Sequence, residues 1–376
     1  MYGVRCPFLF CLILCASIAR SQVGDIAGVH DPSIAEENGV FYVFSTGVGR
    51  GDTVPIRRSR DLHRWEFVGR VSESLPAWAA AFNPRDGNVW APDISHFGGR
   101  FHLYYSVSSF GTNRSAIGLA TNKTLDPSSP EYEWIDQGKV IESKPGVDNW
   151  NAIDPNLVID TAGAPWLAFG SYWTGVKLRR IDPITGRLSS SDSTLYSLAE
   201  RPGTTAIEAP FLFHHGGYHY LFVSFDQCCK GSESTYHLRA GRSTSVKGPY
   251  RDRQGCAMLD GDATLLLESH DNIRGPGHCS VITAFGRDWL VHHYYDANES
   301  GRAKLQIRPL VWAGDGWPLA GEPLSRPPSD PMASFPAGTW DHSVDFVLPD
   351  TIRLFSNGRL QDPNGPGVTP RSSRVV

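Results

Sequence analysis

One pattern returns five times along this chain, and it limits the fold more than any other feature. A polar residue opens a short apolar strand, a turn containing Gly or Asn follows, and a strand dense in aromatics comes next. The first copy is Asp31-Pro32-Ser33-Ile34, the turn Asn38-Gly39, then Phe41-Tyr42-Val43-Phe44. The second opens at Asp93, turns at Gly98-Gly99 and continues Phe101-His102-Leu103-Tyr104-Tyr105. Asp154, Glu208 and His278 open the third, fourth and fifth, with turns at Gly163, Gly216-Gly217 and Gly286. The lead residues lie 62, 61, 54 and 70 positions apart. Self-similarity at such a period marks units that stack or close into a ring. No helical periodicity separates them, which disfavours a βαβ sheet. The expected fold is all-β, a five-bladed β-propeller, in which closure removes free sheet edges. Innermost strands line the channel of a propeller, so the five lead residues are expected to converge at one end of it. A single Asp-Pro reads as an ordinary strand start; five titratable leads at one repeat position read as a site.

Charged residues make up 20% of the 376-residue chain and the formal net charge is -4. That balance lacks the Lys and Arg clustering of a nucleic-acid surface. Residues 1–21 read as a signal peptide: Arg5, an apolar run from Phe8 to about Ala19, and the small residues of Ala19-Arg20-Ser21. The run is too short for a membrane span, so a secreted protein is expected. Cys6, Cys11 and Cys15 leave with that segment, while Cys228, Cys229, Cys256 and Cys279 remain. Export permits disulfides, including a bridge between the adjacent Cys228 and Cys229, and free buried thiols are the alternative. Residues 22–318 are assigned to the propeller. Residues 319–376 are assigned to a Pro/Gly/Ser-rich linker and a short β tail, with strands around Gly338-Thr339-Trp340 and from Ile352 to Gly358.

Three carboxylates stand in distinctive contexts: Asp31 in VHDPS, Asp154 in NAIDPN and Glu208 in IEAPF. Paired carboxylates are the usual apparatus of glycoside cleavage, one protonating the leaving oxygen and the other activating water or attacking carbon. A third beside the acid raises its pKa by like-charge repulsion. These strings, with WAPD, SSFGTNRSAIGLAT, GSYWTG, FDQCCKG and GPGH, resemble glycoside hydrolase family 43, and most closely its endo-1,5-α-L-arabinanases, from about residue 25 to about 320.

The resemblance implies Asp31 as general base, Glu208 as general acid and Asp154 as the residue that tunes and orients the acid. It also implies inversion, with base and acid about 6.5–9.5 Å apart to admit a water. Sugar contacts are implied at Gly111, at Asn151, Ala152 and Ile153, and at Ser171, Tyr172 and Trp173. Calcium is implied near His278, held mostly through water because calcium prefers oxygen ligands. Asp93 reads as a structural channel residue. Trp90, Phe110 and Trp173 are candidates to stack on sugar faces, against the alternative that aromatics fill the space between blades. Arabinan is the implied partner, and a monomer is expected, with no nucleic acid and no membrane. The competing readings are an exo-acting arabinofuranosidase or β-xylosidase on the same scaffold, and a carbohydrate-binding propeller without catalysis. The segment Leu75 to Gly87, just before Trp90, is the part most able to wall off one side of a cleft.

Overall fold

The computed structural model of the protein describes residues 22–83 and 87–328 and two short paired strands, Arg353–Leu354 and Leu360–Gln361. The expected signal segment and the strand expected at Gly338–Trp340 lie outside the described residues; Arg353–Leu354 falls within the second expected tail strand, and its partner Leu360–Gln361 lies beyond it. Among the described residues no helix is long and apolar enough to cross a membrane.

Five blades, each of four antiparallel strands in sequence order, form a five-bladed β-propeller, and the first blade gains a fifth strand from the segment before it. The inner strands are Ser33–Glu37, Trp90–Phe97, Asn156–Ile159, Ile207–His215 and Ile273–Ala284. Four inner hairpins close on two residues with positive φ at both: Asn38-Gly39, Gly98-Gly99, Gly216-Gly217 and Phe285-Gly286. That is the turn whose twist matches the flanking strands.

The core is five cores, one between each pair of neighbouring blades. Along a strand successive side chains face opposite ways. Tyr42 and Phe44 therefore pack toward Leu103 and Tyr105 of the second blade, while Phe41 and Val43 pack toward Trp289 and Val291 of the fifth. Ring closure falls to the segment that precedes the first blade. Val23–Gly24 pairs in parallel with the outer strand of the first blade, and Leu305 N–H donates to Ile26 O across to the fifth (2.9 Å). Gln22 is buried and donates from Nε2 to the carbonyls of Ile307 (3.2 Å) and Leu324 (2.7 Å). Its Oε1 accepts Ile307 N–H (3.2 Å).

The fifth blade runs past the expected boundary at 318, since Pro318–Ala320 is its outer strand and Leu324 is buried against the first and fifth blades. A six-residue helix, Ala77–Phe82, interrupts the otherwise β chain where no helix is expected. Its Ala-Trp-Ala-Ala-Ala-Phe sequence is rich in the best helix former.

Candidate active site

The lead residues converge, but not in the register expected. The true repeat position is a residue with positive φ at the channel mouth: Asp31 (52°), Ala91 (40°), Asp154 (56°), Ala209 (55°) and His278 (47°). Four of the five precede a proline. In each case the backbone N–H donates to a side chain of the preceding blade: His293 Nδ1, Thr46 Oγ1, Ser106 Oγ, Asp154 Oδ2 and Ser224 Oγ respectively. Left-handed backbone costs an L-residue about 1–2 kcal/mol, and these bonds hold it in place. Glu208 stands one residue before its repeat position and Asp93 two after. The offset drops Asp93 deeper into the channel. There Oδ1 accepts from Asn156 Nδ2 (3.0 Å) and Ser33 Oγ (3.4 Å), and Oδ2 from Leu157 N–H (2.8 Å) and Ser95 Oγ (3.0 Å). It joins three blades.

Asp31, Asp154 and Glu208 open into one cleft of about 940 Å³. Burial alone would raise the Asp31 carboxyl, but the imidazoles of His30 and His278 outweigh it and hold it well below the ordinary carboxylate range. His30 Nδ1 lies 2.8 Å from Oδ2 and His278 Nδ1 3.1 Å from Oδ1. Thr46 Oγ1 donates to Oδ2 (2.6 Å). Oδ2 thus has both lone pairs filled, while Oδ1 keeps one open. His293 Nδ1, 3.6 Å from Oδ1, accepts the Asp31 N–H and so forms no ion pair. Burial and neighbouring His30 keep it neutral.

Glu208 goes the other way. Burial pushes its carboxyl up and the charge of Asp31 adds to this, against Ser171 Oγ, which donates to Oε2 (2.7 Å), and the Tyr236 hydroxyl. Asp154 is pushed up to about 8 by burial first, with Glu208 and Asp31 adding. Two buried carboxyls beside an ionised third do not both ionise at neutral pH, so the Glu208–Asp154 pair retains a proton. Asp154 also orients its neighbour directly, since its Oδ2 accepts the N–H of Ala209, next to Glu208 (3.1 Å).

The profile of glycosyl hydrolases family 43 matches residues 26–318. The chain belongs to this family. It is therefore a glycoside hydrolase. Over 322 residues it is 44% identical to an extracellular exo-α-(1→5)-L-arabinofuranosidase of Cellvibrio japonicus, covering 82% of this chain and 90% of that one. Over 292 residues it is 42% identical to an extracellular endo-α-(1→5)-L-arabinanase of Bacillus subtilis, covering 77% and 87%. A solved α-L-arabinanase of Cellvibrio cellulosa in complex with arabinohexaose superposes with a TM-score of 0.75 at 43% identity, covering 78% of this chain and 96% of that one.

In this family-43 enzyme the cleft brings together Trp90, Phe110, Gly111, Asn151, Ile153, Ser171, Tyr172, Trp173 and His278 with the three carboxylates. Ala152 is a correction: it is fully buried in the core between the second and third blades, with its N–H on Ser143 Oγ (2.9 Å), and does not line the cleft. Trp90 and Phe110 meet at 5.0 Å between ring centroids, and Phe110 is 77% exposed at the rim. Asn151 Oδ1 is buried without a partner.

Sequence reasoning missed His30, Thr46, Tyr236, His293 and Tyr295. Tyr236 is reached only because Gly277 has no side chain, as a Cβ there would sit 1.9 Å from the Tyr236 ring. The GPGH string was legible, but its ring partner was not.

His278 fits calcium in one way only. Burial would lower its imidazole, but Asp31, then Asp154 and Glu208, raise it to about 9. Among the described residues it joins no group of three His, Cys, Asp or Glu donors within 4.8 Å of one another. Two sets lie at the channel mouth: His30, Asp31 and His293, whose imidazoles suit a transition metal rather than calcium, and His30 with Cys228 and Cys229, whose sulfurs are tied up in a disulfide. A calcium ion near His278 would have to be held through its own waters, since no group of three such donors includes His278 among the described residues.

Proposed function

We propose that this enzyme hydrolyses internal α-1,5-L-arabinofuranosidic bonds of arabinan by single displacement with inversion, outside the cell. The observation that carries the reading is the division of the cleft carboxyls into one pushed well below the ordinary range, Asp31, and one pushed above it, Glu208, within a pair that retains a proton. Glu208 gives its proton to the glycosidic oxygen as that bond to the anomeric carbon breaks. Water adds to the same carbon from the opposite face and loses a proton to Asp31 Oδ1. Asp31 leaves the step protonated and Glu208 ionised, and exchange with solvent restores both. Asn151 Oδ1 offers an acceptor to a sugar hydroxyl, and Trp90 with Phe110 an apolar surface for a ring face. Calcium enters only as a hydrated ion near His278 that supports the charge of the site; elemental analysis of the purified enzyme tests it.

Support for endo action lies in the segment before Trp90. Among its described residues, Ala79 packs into the core between the first two blades and Leu75 to Ala77 line a separate groove, while Asn83 is bonded to Ser108 and Ser109 of the cleft wall. None of the residues from Leu75 to Asn83 itself lines the cleft. The exo reading is favoured by the name of the Cellvibrio japonicus relative. A time course on linear arabinan separates them. Endo action lowers viscosity early and yields mixed oligosaccharides; one small product from the start, with viscosity held, reverses the assignment. Early-time NMR of the anomeric signal reads the stereochemistry, and net retention overturns single displacement.

A further inference from the structure

Behind Asp31 runs a line of hydrogen bonds that the chemistry above leaves unused. His30 Nδ1 lies 2.8 Å from Asp31 Oδ2 and His30 Nε2 lies 2.6 Å from the Tyr295 hydroxyl. That hydroxyl oxygen accepts the N–H of Cys229 at 2.8 Å and is also hydrogen-bonded to Ser234. His30 is thus gripped at both ring nitrogens, by the Asp31 carboxylate at Nδ1 and by the Tyr295 hydroxyl at Nε2. The far end is fixed covalently. Cys229 is joined to Cys228 by a disulfide, the bridge lines the cleft, and Cys229 sits at φ 67°. A bridge between neighbours closes a ring around their own peptide bond, so the Cys229 N–H cannot turn from Tyr295 while the ring stands.

We infer that Tyr295 and the Cys228–Cys229 bridge are positioning elements for the catalytic base. They hold His30, and through it the Asp31 carboxylate, so that Oδ1 faces the water. This rests on the reading of Asp31 as base. Opening the bridge takes a dithiol: two electrons and two protons pass to the two sulfurs, and the dithiol becomes a disulfide. Cys256 and Cys279 are free, so Cys228–Cys229 is the one disulfide among the described residues for a reductant to act on.

The test measures steady-state hydrolysis of linear arabinan by the full chain and its Tyr295→Phe variant, each before and after dithiothreitol, with thiol titration and thermal unfolding alongside. Tyr295→Phe is expected to lower kcat about tenfold through misorientation, with KM within about twofold. Reduction lowers the kcat of the parent by a similar factor, reversibly on reoxidation, and leaves Tyr295→Phe unchanged because its line is already cut. Parental kcat in Tyr295→Phe overturns the inference, as does an equal loss on reducing parent and variant, or a rise in KM with kcat spared. The reduction arm needs no variant: a fully reduced parent with undiminished kcat overturns it even if Tyr295→Phe fails to fold. Asp31→Asn separates the two readings. If it retains activity, the base assignment falls and this inference with it. If it is inactive while Tyr295→Phe works normally, only the positioning role falls.

Discussion

Asp31 and Glu208 are both buried, and their neighbours send them in opposite directions. Two imidazoles face Asp31, whereas a hydroxyl from Ser171 and another from Tyr236 face Glu208. Replacing Glu208 by Gln removes the proton donor of the proposed mechanism and keeps the shape. Arabinan turnover is expected to fall about 10²–10⁴-fold with the melting temperature nearly unchanged, and turnover within a few-fold of the parent would remove Glu208 from the role. The pH profile follows from the same division. Asp31 must be ionised, and its pKa lies well below the ordinary range, so the acid limb of kcat/KM is expected below about pH 4. Glu208 must be protonated, so activity is lost as pH rises through its raised pKa. Asp154→Asn removes the carboxyl that shares a proton with Glu208, so Glu208 ionises without opposing a second charge and the alkaline limb is expected to move toward acid; an unmoved limb would show that Asp154 acts by orientation alone. At this scale the three carboxylates were legible because each sits in a rare local string. Tyr236 and Tyr295 were not, because their meaning comes from His30, Glu208 and Gly277, which no local window contains.

The inner strand is the unit that places these groups, and it was read one step out of phase. Five polar leads suggested one position, but the geometric repeat is the left-handed residue, which includes Ala91 and Ala209. Alanine carries no chemical signal, whereas the neighbouring Asp93 and Glu208 do. The consequence is testable. Asp93 should behave as a structural tie: Asp93→Ala leaves Leu157 N–H and Asn156 Nδ2 buried without acceptors, at about 1–3 kcal/mol each. The melting temperature should fall by about 5–10 °C, while kcat measured well below the transition stays within about threefold. A large loss of kcat in a folded, stable variant would return Asp93 to the catalytic set. The hairpin turns, by contrast, were readable residue by residue, since Asn-Gly and Gly-Gly pairs satisfy a backbone requirement that is itself local.

For the whole molecule, the repeat count gave the blade number, and the sequence could not say how the ring is sealed. Sealing uses the Val23–Gly24 pairing, the Leu305–Ile26 bond and Gln22, a polar residue whose partners lie in the fifth blade and just beyond it. Gln22→Ala strips a buried N–H and two carbonyls of their partner. It is expected to cost about 2 kcal/mol, read as a lower urea midpoint with an unchanged slope; a lower slope would instead mean that the first and fifth blades separate before the rest.

Because Gln22 reaches Leu324 at 2.7 Å, the two ends of the ring are neighbours. A circular permutant that joins them by a short linker and reopens the chain at Gly98-Gly99, the turn at the opposite end of its inner strand from Trp90 and the cleft, keeps every blade contact and brings no new terminus to the sugar. The order in which the blades are written along the chain is then a matter of where the circle was cut, and the site belongs to the circle.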